Sequence, residues 1–324
     1  MTKVALDHRP RLPELCRLGG GAEAGLSGRA HVDGATPESR RQAPRVHPPA
    51  VFEGRSGYNE HFLEGFPVPL PGVSGALERD ILPVAGSSLG RLDYQHFTVV
   101  MSKSRRMARF VAVNIEGESS QRVARGDDQW FLDGRIPVDA QIGEELYVDN
   151  GLDRGHLVRR EDPNWGTEDE AQIANEDTFH FTNCSPQMAS MNQKTWLGLE
   201  NYILQNTRRW RERVTVFSGP VFGDGDLIYR GARIPLAYWK VVAFLSDDFK
   251  PSASAYMMDQ VHELGSLEAT FGTYKTYQRS VRYVAERTGL DFGSLTNFDG
   301  FSNEEAHLSA QIETVIENLG DIRV

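Results

Sequence analysis

The alternation of apolar and polar residues predicts several β-strands in the middle and C-terminal parts of the chain. β-Branched and aromatic residues fill 96–102 and 109–117, with a short basic connection between them, and this pattern predicts a β-hairpin. The runs 214–222, 236–246 and 252–260 have a similar composition. Because 236–246 is almost entirely apolar, we expect it to lie near the centre of a sheet with both faces buried.

Helical periodicity is found in two segments. In 192–205, apolar residues recur at i, i+3 and i+7 from Trp196, which predicts an amphipathic helix with one buried face. The segment 277–288 also repeats apolar residues at helical spacing, and Gly289 follows it where a C-cap glycine is preferred. Together these elements predict an α+β fold in which a central, mostly antiparallel sheet is flanked by helices.

The N-terminal part of the chain differs from the rest. Residues 1–56 are rich in Gly, Pro, Arg and Ala and have no sustained period, so we expect a disordered leader or linker that cannot bury enough apolar surface to fold. The segment 57–75 mixes aromatic residues with Pro and Gly, which predicts an extended stretch packed on the domain surface. We therefore place the folded domain at 57–324, with its core at about 92–290.

The composition excludes some classes of protein. Of 324 residues, 40% are hydrophobic, yet no apolar run reaches the ~18 residues of a membrane span, so we expect no membrane association. The N-terminus lacks the apolar region of a secretory signal, and we expect a cytoplasmic protein. The two cysteines, Cys16 and Cys184, are too few for a disulfide framework, and we expect both thiols to be reduced, with Cys184 a small buried residue.

The charge pattern bears on nucleic-acid binding. A net charge of −10 disfavours contact over the whole surface but leaves a local basic groove open. Basic clusters occur at 103–109 and 207–213, and the second contains Trp210 as a candidate stacking surface for bases. Either cluster is also typical of a plain solvated face.

Candidate chemistry centres on Asp153-Arg154-Gly155-His156. A single histidine in such a polar run is usually structural. The downstream stretch 177–203, however, places asparagines, glutamines and a glutamate in the approach to the amphipathic helix and in its body, although asparagine is a poor helix former. These residues call for a functional interpretation.

Four motifs in order carry a resemblance to a known family. DRGH at 153–156 is followed by TNCSPQ at 182–187, MNQKTW at 191–196 and LE at 199–200. This arrangement resembles the DNA/RNA non-specific endonucleases, which have the ββα-metal nuclease fold, and the resemblance covers roughly residues 92–290. It implies an endonuclease that hydrolyses the phosphodiester bonds of DNA and RNA, with Mg²⁺ as cofactor and Mn²⁺ as a substitute.

The resemblance also implies roles for particular residues. His156 would be the general base that activates water, and Asn192 would be the one direct protein ligand of Mg²⁺. Glu200 would hold metal-bound waters, and Asn183 would support the site geometry. Taken one at a time, Asn192 could equally be a helix N-cap, Glu200 an exposed helix acid and Asn183 a turn former.

General chemistry agrees with these roles. An imidazole with a pKa near ~6.5 is a competent base at neutral pH. Mg²⁺ keeps most of its water shell, so one amide oxygen is a sufficient protein ligand. Asn192 and Glu200 would be about 12 Å apart along an unbroken helix at ~1.5 Å per residue, which favours an outer-shell position for Glu200.

Several arginines compete for contacts with phosphate. Arg154 either contacts phosphate or pairs with Asp153 or a nearby acid. The family also uses an arginine upstream of DRGH to stabilise the pentacoordinate phosphorus, and Arg122, Arg125 and Arg135 are the candidates. Spacing to the following aromatic residue favours Arg125.

Two neighbouring residues have structural interpretations. We expect Asp153 to accept a hydrogen bond that fixes a turn, and His180, between two phenylalanines, to pack within a strand. The alternative to an enzyme is a catalytically silent module that binds nucleic acid or protein through the same scaffold. The expected partners are DNA and RNA, a second copy in a homodimer, and an inhibitor or regulatory protein that protects the cell from an active nuclease.

Overall fold

The structure is a computed structural model that describes residues 43–87, 89–188, 195–246, 248–260, 275–317 and 321–323. In chain order its strands are β1 Val46–His47, β2 Arg91–Tyr94, β3 Phe97–Ser102, β4 Met107–Glu116, β5 Leu132–Asp133, β6 Leu152–His156, β7 Cys184–Met188, β8 Arg213–Val221, β9 Leu227–Tyr229, β10 Ala232–Ile234, β11 Ala237–Leu245, β12 Pro251–Asp259, β13 Lys275–Arg279 and β14 Thr314–Ile316. The α-helices are α1 Gly75–Asp80, α2 Glu168–Asp177, α3 Thr195–Trp210, α4 Val281–Thr288 and α5 Gly300–Leu308.

An eight-stranded antiparallel sheet forms the centre of the fold, in the order β14-β13-β12-β11-β8-β4-β3-β2. The five strands predicted from apolar runs are all present, with ends within two residues of the prediction, and β3 and β4 form the predicted hairpin. β11 lies between β12 and β8, and seven of its nine residues are buried. The α+β class and the central position of this strand are therefore confirmed.

Both faces of the sheet are covered. One face carries Val99, Val113 and Val216, and it packs beneath β6, β7 and α3. The other face carries Phe110, Phe217 and Trp239 and packs against residues 58–68 and α4. The motifs at 153–156, 182–187 and 199–200 therefore lie on the face covered by β6, β7 and α3.

The predicted helices need two revisions. The described part of α3 continues to Trp210, beyond the predicted end at Gln205, and residues 192–194 lie outside the described residues. The predicted start of the later helix at Tyr277 is wrong, because Tyr277 belongs to β13, where it pairs with Met257 and Val315. The helix begins after Ser280, whose hydroxyl accepts a hydrogen bond from Tyr283 N.

The end of the same helix agrees with the sequence. Gly289 has a φ of 71° and its N–H donates to Ala285 O, so the predicted C-cap glycine is confirmed. None of the described helices is long and apolar enough to cross a membrane.

The compact unit begins at Ala43, earlier than the expected domain start at residue 57. Phe52 is buried, Arg55 forms an ion pair with Asp177, and β1 pairs in parallel with β5. A local pattern could not reveal this segment, because the ion pair and the strand pairing that hold it are made with distant parts of the chain. The predicted leader otherwise lies outside the described residues. The segment 57–75 does pack on the sheet as expected, through buried residues such as Tyr58 and Leu63.

Candidate active site

A short ribbon of two strands presents the DRGH residues. β6 pairs antiparallel with β7, so that His156 lies opposite Cys184 and Gly155 lies opposite Ser185. The expected turn at this position is wrong, because all four residues belong to β6. The buried Gln187 side chain lies over Gly155, where a Cβ atom would stand 2.2 Å from its Cδ atom. Only glycine fits at this position without displacing Gln187.

His156 lies against two aromatic rings. Its ring centroid is 4.7 Å from that of Trp130 and 5.0 Å from that of Phe179. The Nε2 atom is buried and has no hydrogen-bond partner among the described residues. Burial lowers the pKa of His156 to about 3, although the nearby carboxylate of Asp128 opposes this effect. The imidazole is therefore neutral at pH 7, and its Nε2 atom is not engaged by any described residue.

Asn183 connects the end of β6 to the end of α2. Its side-chain oxygen accepts from Val158 N at 2.8 Å, and its amide nitrogen donates to Val158 O at 2.9 Å and Thr178 O at 3.0 Å. Its own carbonyl accepts from Leu157 N at 3.0 Å. These bonds fix the backbone immediately after His156.

Glu200 is buried on α3 beside a buried lysine. Lys240 Nζ, from β11, lies 3.0 Å from Glu200 Oε1. The same nitrogen donates to Leu157 O at 3.2 Å and to Ser218 Oγ at 3.0 Å. Lys240 thus links α3, the sheet and the residue that follows His156. The expectation of Glu200 as a plain exposed acid does not fit this position.

A second carboxyl group lies near this pair. Asp162 is buried, and burial raises its pKa to about 7, although the positive charges of Arg159 and Lys240 oppose the shift and the negative charge of Glu200 adds to it. Asp162 therefore takes up a proton near neutral pH.

Arg154 points to an acid other than Asp153. Its guanidinium lies 3.2 Å from Glu144 Oε1, and its Nε atom is buried without a hydrogen-bond partner among the described residues. The Asp153 carboxylate makes no hydrogen bond within the described part of the chain, so the expectation that it fixes a turn is wrong. Both findings follow from the β6 strand, which directs neighbouring side chains to opposite faces.

The three upstream arginines occupy different environments. Arg135 is partly buried and donates hydrogen bonds to the Asp133 carboxylate and to Asp93 O, and its guanidinium carbon lies 3.8 Å from the Phe52 ring centroid. Arg125 is exposed and paired with Asp128, and its charge lowers the pKa of His156. Arg122 is exposed and lines a groove beside α3. Arg135 is thus engaged in the fold, whereas Arg125 lies within electrostatic reach of His156.

A family model described as "DNA/RNA non-specific endonuclease" matches residues 76–299. The chain belongs to this family. The family resemblance read from the four motifs is thereby confirmed.

Individual relatives agree with the family. An uncharacterized protein of Sinorhizobium fredii is 44% identical over 235 residues, which are 69% of this chain and 35% of that protein. Human mitochondrial endonuclease G is 38% identical over 76 residues, 24% of each chain. Nuclease C1 of Cunninghamella echinulata is 23% identical over 188 residues, 53% of this chain and 72% of that one. The match thus spans about a third of the first relative and a quarter of the second.

A solved structure shares the fold. The crystal structure of the EndoG/EndoGI complex, which concerns the mechanism of EndoG inhibition, superposes with a TM-score of 0.50 at 19% identity, covering 62% of this chain and 84% of that one. The ββα-metal nuclease fold expected from the sequence is therefore confirmed.

The family implies a divalent cation, and Asn192, its expected ligand, lies outside the described residues. Among the described residues, no three His, Cys, Asp or Glu side chains form a metal-binding group. Oxygen donors do lie near DRGH: the Glu200 carboxylate, and the buried Oε1 of Gln187, which has no hydrogen-bond partner in the described part of the chain. Such donors suit a hard, largely hydrated cation rather than zinc.

Sequence reasoning missed some residues of this endonuclease site. Lys240 was overlooked inside an apolar strand, where a single lysine in LAYWKVVAFLS was itself a signal because buried lysines are rare and normally paired. Asp128 and Trp130 adjoin His156 only through the fold, so no local pattern marked them.

Structural interpretations of two other residues hold in part. His180 is buried among aromatic rings as expected, but it precedes a 3₁₀ turn, Phe181–Asn183, instead of lying in a strand. Cys184 is free and buried, which confirms its assignment as a small buried residue, and its pKa is raised to about 12 by burial. Cys16 lies outside the described residues.

Proposed function

We propose that this protein is a sugar-non-specific endonuclease that hydrolyses phosphodiester bonds in DNA and RNA and depends on Mg²⁺, with Mn²⁺ as a substitute. The observation that carries the proposal is the free Nε2 atom of His156, held neutral by burial on the DRGH strand. Family membership supports the reaction class.

In this proposal His156 acts as the general base. Water that attacks phosphorus must lose a proton, and a neutral imidazole nitrogen with no competing hydrogen bond can accept it. Trp130 and Phe179 restrict the ring to one position. Asn183 acts as a positioning residue, because its bonds to Val158 fix the backbone that carries the histidine.

Asn192 directly, and Glu200 through water, would hold the cation. When bound, the cation supplies charge that stabilises the pentacoordinate phosphate and the leaving oxygen. The Lys240 ammonium group keeps the Glu200 carboxylate at one place on α3. The role of Asn192 rests on the family motif alone.

Arg125 and Arg154 are the proposed contacts to phosphate. Arg125 is exposed near His156, and its partner Asp128 holds it only by a surface ion pair, which is weak enough for phosphate to replace. Arg154 is similarly half-exposed beside Glu144. A bidentate guanidinium suits the equatorial oxygens of the reacting phosphate. Arg122 is the alternative to Arg125.

The test is cleavage of supercoiled plasmid and of single-stranded RNA by the purified protein, with Mg²⁺, with Mn²⁺ and with EDTA. We expect both substrates to be degraded with either metal and neither with EDTA. A protein that binds both but cuts neither under any metal condition would instead be the silent binding module. The cytoplasmic location, the homodimer and an inhibitory partner stay predictions.

A further inference from the structure

A groove of about 630 Å³ lies beside α3, next to the candidate site. Four arginines line it, contributed by three parts of the chain: Arg122, Arg159, Arg208 and Arg209. Among the described residues that line it, Glu161 is the one acid. On a chain with net charge −10, this arginine groove is a local concentration of positive charge.

Two of the arginines are held in place by neighbours. Arg208 donates to Ser120 Oγ at 2.8 Å and to Glu161 Oε2 at 2.9 Å. Arg159 donates to Asn201 Oδ1 at 2.7 Å. Because their side chains are already ordered, a bound anion would not have to offset the entropy of fixing them.

The other two arginines are exposed. Neither Arg122 nor Arg209 forms an ion pair with any described residue. The guanidinium carbon of Arg209 lies 5.1 Å from the ring centroid of Trp210, which is 62% exposed. The unpaired charge of Arg209 in the groove lining thus lies next to an exposed aromatic ring at the end of α3, just outside the lining itself.

The other basic cluster of the sequence, at 103–109, behaves differently. Arg105 pairs with Asp226 and Arg109 with Asp80, each at 2.6 Å and mostly buried. The charges of Arg105 and Arg109 are thus neutralised by partners within the fold. Arg106 of the same cluster lines a separate cavity together with Asp139 and Glu145, whose negative charges disfavour the binding of phosphate.

The arginine groove is joined to the candidate site. Arg159 follows His156 by three residues, and its Nη1 lies 3.4 Å from the carbonyl oxygen of Glu200. Arg159 thus belongs to the groove lining and connects the end of β6, which carries His156, to α3.

We propose that the arginine groove binds backbone phosphates of a single polynucleotide strand beyond the scissile bond, with Trp210 as a stacking surface for a base. This inference rests on the proposed endonuclease function, because that function identifies the bound strand as substrate. Binding of this kind makes the affinity for nucleic acid depend on strand length and on salt concentration. It requires no base-specific contact.

The experiment uses full-length protein carrying His156→Ala, so that the probe is not cut. Binding of a fluorescent 20-nucleotide single-stranded DNA is measured by anisotropy across a range of salt concentrations, with EDTA present. The test variant adds Arg122→Ala and Arg209→Ala. The matched control adds Arg282→Ala and Arg287→Ala, which remove the same charge from the exposed face of α4.

We expect the groove variant to raise the Kd about tenfold and to lower the slope of log K against log salt by about 1 to 1.5, as for two lost phosphate contacts. The control variant should change neither the Kd nor the salt slope by more than about twofold. Equal behaviour of the two variants would overturn the proposal.

Plasmid cleavage by wild-type protein keeps this result separate from the proposed function. If wild-type protein cleaves plasmid but the groove variant binds DNA like the control, the proposed endonuclease function stands and the proposed role of the groove is rejected. Circular dichroism of every variant verifies that it is folded, and wild-type protein in EDTA repeats the binding measurement without His156→Ala.

Discussion

A methyl group at position 155 would lie 2.2 Å from both Cδ and Oε1 of Gln187. Such contacts are far inside van der Waals distance, and the Gln187 side chain that would have to shift is buried. The glycine of the DRGH motif is thus explained by close approach of β6 and β7, one residue before the proposed base. The contact that requires glycine at position 155 therefore also fixes the strand that carries His156.

We expect Gly155→Ala to lower the free energy of unfolding by about 1–3 kcal/mol, the usual cost of overpacking, and to reduce nuclease activity by displacing the strand that carries His156. Urea denaturation measures the first effect. Gly300→Ala is the control, because a Cβ atom added there would have no other atom within 4 Å. If both variants unfold at the same urea concentration as wild type, the close approach is not a constraint.

At the scale of elements, one side chain joins three parts of the site. Lys240 on β11 contacts Glu200 on α3 and the carbonyl of Leu157 after β6. Removing one member of a buried ion pair leaves the other charge without compensation, which is more costly than removing both. α3 is therefore fixed to the sheet by charge as well as by the apolar contacts of Leu199 and Leu204.

A double-mutant cycle tests this coupling. Lys240→Met should destabilise the protein by about 3–5 kcal/mol, whereas the double variant Lys240→Met/Glu200→Gln should lose clearly less than the sum of the two single changes. Chemical denaturation gives all four values. The exposed pair Lys250 and Asp248 provides the control, since Lys250→Met should cost less than about 0.5 kcal/mol. Strict additivity would show that the buried pair is not coupled.

The elements also show how far local sequence could go. Apolar runs predicted the long central strands, because a strand buried on both faces is a nearly continuous apolar run that can be identified from its own sequence. Tyr277 looked helical, yet pairing with β12 and β14 places it in a strand. DRGH likewise became a strand through pairing with residues 184–188. In both segments, contacts with distant residues overrode local preference, and a single sequence does not reveal such contacts.

For the whole molecule, buried histidines set the response to acid. Burial lowers the pKa of His180 to about 4, and it also lowers the pKa of His47 and His96. A histidine that binds its proton less readily when folded contributes stability that is complete above the unfolded pKa of ~6.5 and is lost as the pH falls below it. Asp162, with a pKa raised by burial to about 7, has the opposite sign, since its contribution is lost as the pH rises toward 7.

His180→Gln separates one histidine from the rest. At pH 5 the wild-type protein should lose about 2 kcal/mol through His180 relative to pH 7, and the variant should not. The measurement is the Tm difference between pH 7 and pH 5, which should be smaller in the variant. The exposed His307 provides the control substitution, His307→Gln. An equal Tm difference in all three proteins would contradict the role of His180.

The most direct test of the account is the single-turnover rate of plasmid nicking with Mg²⁺ by wild type, His156→Ala and the exposed-histidine variant His61→Ala. Loss of a general base should slow the His156 variant by about 10² or more without changing its circular dichroism spectrum, while the His61 variant should match wild type. A folded His156→Ala protein that nicks plasmid at the wild-type rate would contradict the account, because His156 would then not be the base.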